Sequence, residues 1–112
     1  MAIPDEFEVT AETAREGALV IGVTGDLDLA TSSRFTDALA AAAASPHVVI
    51  DLTSCTFLDS SGVRAVVQAL REITDGGRRV DVVAASAAIL RVLEITGVDR
   101  AVSVHPSLDD VL

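Results

Sequence analysis

Residues 48–70 read "VVIDLTSCTFLDSSGVRAVVQAL", and the fold turns on how they divide. "HVVIDLT" (47–53) carries an unbroken Val48-Val49-Ile50 run, the pattern of a strand covered on both faces rather than one alternating between core and water. From Ser61 to Thr74, Val63, Val66, Val67, Leu70 and Ile73 recur at helical spacing, with Arg64, Gln68, Arg71 and Glu72 on the other side. An apolar run therefore meets a helix at Asp59-Ser60-Ser61-Gly62. Asp59 or Ser60 can cap that helix, a contribution of about 1 kcal/mol. The same corner offers free N–H donors and the positive end of a helix dipole, so it also suits a phosphate. The two readings are compatible. Gly62 is either a point of close approach or a residue that loosens the first turn.

Outward from this corner, Phe7–Thr10 reads as a short strand and Glu12–Gly17 as a polar turn. "ALVIGVTG" (18–25) is a β-branched strand ending in glycine, and Asp26-Leu27-Asp28 is the loop after it. A helix is predicted over Thr31–Ala44, with Leu29, Phe35, Leu39 and Ala42/Ala43 on one face; Asp28 or Thr31 caps it and Ser45-Pro46 stops it. Asp75-Gly76-Gly77 ends the central helix, and "RRVDVVAA" (78–85) is the next strand. Ser86 caps a helix to Thr96, with Leu90 and Leu93 inward and Gly97 just past its end. "AVSV" (101–104) makes a last strand, and Pro106 opens a terminal helical turn through Leu112. Alternating units of this kind predict one α/β domain over 1–112, a mixed and mostly parallel sheet of about five strands with about four helices.

Half of the 112 residues are apolar, yet there are three Phe and no Trp or Tyr, which leaves little surface for stacking bases. All the basic residues are arginine. Residues 1–59 hold ten acids against Arg15 and Arg34, an acidic half that repels nucleic acid and anionic membranes. A protein partner with a basic patch fits that charge; so does plain solubility. Cys55 is the only cysteine, which excludes an internal disulfide and a cysteine metal site and suggests an inert, partly buried thiol. Met1–Glu8 does not read as a signal peptide and no apolar run spans a bilayer, so a cytoplasmic location is expected.

The loops after parallel strands gather at one sheet edge, where Asp26, Asp28, Asp51 and Asp59 would lie. Four acids there could hold Mg²⁺ and make Asp51 a phosphoryl acceptor. Receivers of that type need a lysine on the phosphate, and this chain has none; caps and a solvated rim explain Asp26 and Asp28 instead. Ser60 as a nucleophile lacks a base, since His47 and His105 fall away from this edge. Phosphate-loop, nucleophile-elbow and dinucleotide motifs are absent. No enzyme, metal or cofactor is expected.

The central segment, with "VTGDLDLAT" (23–31) and "ILRVLEITGVDRAVSVHPSLDDVL" (89–112), resembles the STAS domain of bacterial anti-sigma factor antagonists along nearly the whole chain. The resemblance implies a partner switch in transcription regulation and stress response. The unmodified protein would bind a serine-kinase anti-sigma factor and release the sigma factor. Phosphorylation of the serine after the aspartate, here Ser60, would end binding, and a phosphatase would reset it. It further implies that Asp28 lies near the acceptor on the kinase-binding face, and places Asp26, Asp59, Ser61, Gly62 and Arg64 on the partner surface. Asp26 stands where that family usually has glutamate, and Arg64 where it often has glycine; Arg64 could bridge to phosphoserine or to Asp59. A STAS accessory subunit, docking unphosphorylated on the ATPase of a membrane transporter, is the alternative.

Overall fold

The computed structural model describes residues 7–42 and 44–112; Met1–Glu6 and Ala43, the latter within the predicted first helix, lie outside the described residues. The described chain forms strands β1 (Glu8–Thr13), β2 (Ala18–Leu27), β3 (His47–Asp51), β4 (Cys55–Leu58), β5 (Arg79–Val83) and β6 (Val104–His105). Helices α1 (Ser32–Ala41), α2 (Ser60–Asp75), α3 (Ala87–Thr96) and the single turn α4 (Val98–Ala101) lie between them. The sheet order is β1-β2-β3-β5-β6, with β4 paired to β2 off that path. Only β1 runs antiparallel to its neighbour.

The long strand β2 organises the rest. Its first half, Ala18–Gly22, pairs with β3, and its last residues, Gly25–Leu27, pair with β4 across a register shift at Gly25/Asp26. The sheet thus has six strands where the sequence predicts about five. Cys55–Leu58 belongs to a strand of its own, and Asp26 lies inside β2 rather than in a loop. The predicted last strand at 101–104 is displaced: 98–101 turns as helix, and pairing starts only at Val104. The terminal helix is reduced to a 3₁₀ turn at Leu108–Asp110.

One face of the sheet packs on the helices. Ile21, Val23, Val48, Ile50 and Val82 point into a core shared with Phe35 of α1, Val66, Leu70 and Ile73 of α2, and Ile89 and Leu93 of α3. Leu90 was expected inward, but the i, i+4 pair Ile89 and Leu93 takes the core side and Leu90 stays 38 % exposed. Leu29 is likewise not on α1: the helix begins three residues later, and Leu29 is 78 % exposed in the turn before it. The other sheet face is also covered. Val49 and Val83 are fully buried there, and Leu108 and Leu112 of the C-terminal turn share a groove with Val20, Gly22 and Asp51. This accounts for the unbroken apolar run of β3.

Candidate functional site

Because Leu27 pairs with Leu58, β2 and β4 end side by side, and the residues that follow each strand form one corner. From β2 comes the Asp28 turn. Asp28 Oδ1 accepts bonds from the Ala30 N–H (3.0 Å) and the Thr31 N–H (3.2 Å), while Thr31 Oγ1 donates to the Asp26 carbonyl (2.7 Å). Asp28 thereby fixes the entry to α1. Within the strand end, Asp26 Oδ1 accepts from Thr56 Oγ1 at 2.6 Å, joining β2 to β4 through side chains.

From β4 comes the start of α2. Asp59 is the N-cap: its Oδ1 accepts from the Gly62 N–H at 2.9 Å. Ser60 is the first helical residue, exposed and outside the capping bond, and Ser61 behind it is half-buried. Gly62 is buried where the first turn presses on β2; a Cβ there would sit 2.1 Å from the Leu27 carbonyl oxygen. Close approach, not looseness, explains this glycine. Arg64 is exposed on the next turn. The ion pairs formed between described residues all end on Asp81, so Arg64 makes none with Asp59.

Two grooves flank the corner. One, of about 530 Å³, is bordered by Asp26, Asp28, Thr56 and Arg34. The other, of about 300 Å³, runs between α1 and α2 and is bordered by Leu29, Ser32, Thr36, Ser61, Arg64 and Gln68. Asp51 belongs to neither. It faces the opposite side of the sheet and accepts bonds from the Thr53 N–H (3.0 Å) and hydroxyl. The four acids placed at this edge are therefore not one set, and among the described residues no cluster of three or more His, Cys, Asp or Glu could hold a metal ion. Cys55 is buried, and that burial pushes its thiol pKa up, keeping it a thiol.

One polar centre is not legible in the sequence. Asp81 in β5 is buried, with Oδ2 bonded to His47 Nε2 (2.8 Å) and Arg79 Nε (3.0 Å), and Oδ1 to His105 Nε2 (3.1 Å). A carboxylate only accepts, so both rings present Nε2–H to it. Burial by itself would raise the Asp81 pKa; the bonds from His47 and His105 and the charge of Arg79 outweigh it and hold the carboxyl below its ordinary value. His47 and Arg79 open their strands, so this centre lies toward the end of the sheet away from Ser60. Its only sequence signal was an acid inside the apolar strand "RRVDVVAA".

Among solved structures, an anti-sigma factor antagonist from Mycobacterium paratuberculosis superposes with a TM-score of 0.87 at 29 % identity, covering 98 % of this chain and 94 % of that one. The Bacillus cell fate determinant SpoIIAA in its phosphorylated form gives 0.72 at 20 % identity, covering 93 % and 96 %. A sulfate transporter family protein from Wolinella succinogenes gives 0.77 at 14 %, covering 88 % and 84 %. At their identities the last two speak to the fold alone. The family model for the STAS domain matches residues 10–111, and with that match over nearly the whole chain, this protein belongs to the STAS domain family.

Proposed function

We propose that the chain is an anti-sigma factor antagonist whose Ser60 corner docks a serine-kinase anti-sigma factor and is switched off by phosphorylation of Ser60. The observation that carries this reading is the division of labour at the start of α2: Asp59 supplies the cap, and the exposed Ser60 hydroxyl takes no part in it. A phosphate can then be added and removed without uncapping the helix. It would bring a charge of about −1.5 to −2 to the binding face. The likeness to the mycobacterial antagonist supports the partner class, and the phosphorylated Bacillus protein shows that a domain of this fold carries the group. Asp26, Asp28 and Asp59 lie at the paired ends of β2 and β4 from which Ser60 follows, and their charge suits basic groups on the kinase. The ATP chemistry resides in that kinase and the reset in a phosphatase, so this chain needs no catalytic group.

The test pairs mass spectrometry with binding. Incubation with ATP and the purified serine-kinase anti-sigma factors of its own cell should place one phosphate on Ser60. Ser60→Ala should bind the kinase whether or not ATP is present. Ser60→Asp should bind up to about a hundredfold more weakly, the equivalent of about 3 kcal/mol. Equal affinities for the two variants, or an unphosphorylated protein that binds a transporter ATPase instead, would defeat the reading.

A further inference from the structure

The groove between α1 and α2 is outside the Ser60 chemistry yet opens beside it, through Ser61. Two features set it apart from the rest of the acidic corner. Leu29 stands at its mouth 78 % exposed, the most exposed large apolar side chain among the described residues. A leucine held that far into water, in a turn fixed by Asp28 and Thr31, is left uncovered by the described residues. Among the described residues, Arg64 is the only charged one bordering the groove, and its guanidinium is tied to no acid. In a chain of net charge −9, a groove whose single charge is positive selects a partner element carrying a carboxylate.

Building on the function proposed above, we infer that this groove is the second half of the anti-sigma factor's seat: the partner receives Leu29 in an apolar socket and sets a carboxylate against Arg64. The same groove gives the switch a mechanism. Ser60 and Arg64 are four residues apart on α2 and so share a face of the helix. A phosphate on Ser60 comes within reach of the Arg64 fork, which binds phosphate through paired N–H donors. Once taken by the phosphate, Arg64 is lost to the partner's carboxylate. Phosphorylation then withdraws a contact in addition to adding repulsion, with no movement of the fold.

The experiment measures affinity for the purified kinase that modifies Ser60, by calorimetry, together with phosphorus NMR on protein carrying genetically encoded phosphoserine at position 60. Leu29→Ala should weaken binding by about tenfold or more, as removal of a buried anchor does. Arg64→Ala should weaken it too, and should lessen the dependence of affinity on salt. The penalty of phosphoserine should be smaller in the Arg64→Ala background than in the wild type, because one of the lost contacts is already gone. Free of any kinase, the dianionic phosphate should take up a proton at lower pH in the wild type than in Arg64→Ala. Leu29→Ala binding within about twofold of wild type overturns the groove as a seat while leaving the Ser60 switch standing. A phosphate titration indifferent to Arg64 overturns the capture of that side chain. Failure of the wild type to bind any kinase overturns both this inference and the function on which it rests.

Discussion

At Gly62 the first turn of α2 lies so close to the end of β2 that one methyl group decides where Ser60 stands. The Cβ of an alanine would meet the Leu27 carbonyl oxygen at 2.1 Å and Leu58 Cδ2 at 3.1 Å. The nearer atom is backbone, held by β-pairing, and cannot swing aside as the end of a side chain can. Gly62→Ala should therefore destabilise the protein by about 1–3 kcal/mol or more, despite alanine's better helix propensity; urea denaturation measures it, and a variant as stable as wild type would refute the packing. Leu29 makes the complementary point. Its sequence position fits a helical face, but the Asp28–Thr31 turn delays the helix and turns that apolar side chain outward. Both residues are conspicuous in sequence; which way each acts depends on atoms from another segment.

The capped starts and the ends of α2 and α3 were legible because their determinants are local, whereas the extra turn α4 was not. Ser86 accepts from the Ile89 N–H at 3.2 Å and Gly97 adopts φ 81°, as the sequence signals require. The central helix follows its apolar spacing, with the small residues Ala65 and Ala69 buried beside Val66 and Leu70. β4 was not legible. Its four residues follow β3 after a short turn in one apolar stretch, and only their pairing with the far end of β2 makes them a separate strand. For the site, this pairing matters most, since it sets the Asp28 turn beside the Ser60 corner. The cap at Asp59 is the local part of that site. Asp59→Ala should lose about 1 kcal/mol of stability through the orphaned Gly62 N–H, whereas Ser60→Ala should lose much less. Thermal denaturation of the two variants separates them, and an equal loss in both would return the capping role to Ser60.

Across the whole sheet, β3, β5 and β6 are joined by the Asp81 carboxylate as well as by backbone bonds. His47 and His105 reach it from 34 and 24 residues away, a convergence no local pattern encodes. Asp81 faces the second side of the sheet, where the C-terminal segment lies, so its bond to His105 also ties down the chain leading into that cover. A buried carboxylate stripped of these partners would be costly; with them it is ionised and held below its ordinary pKa, burial being outweighed by the two imidazoles and Arg79. The direction fixes the pH dependence. Asp81 binds a proton more readily in the unfolded chain than in the folded one, so its contribution is present in full above the ordinary carboxylate range, about pH 4, and is lost as pH falls through the depressed folded value. Asp81→Asn keeps the shape but removes the charge that three donors share. Near pH 7 it should be less stable than wild type by about 1–3 kcal/mol, and the difference should shrink below about pH 4 as the wild-type carboxyl takes up its proton. Denaturant unfolding of both proteins between neutral and acid pH measures that gap. A difference that stays constant across the range would mean that Asp81 stabilises the sheet through shape, with its charge making no contribution.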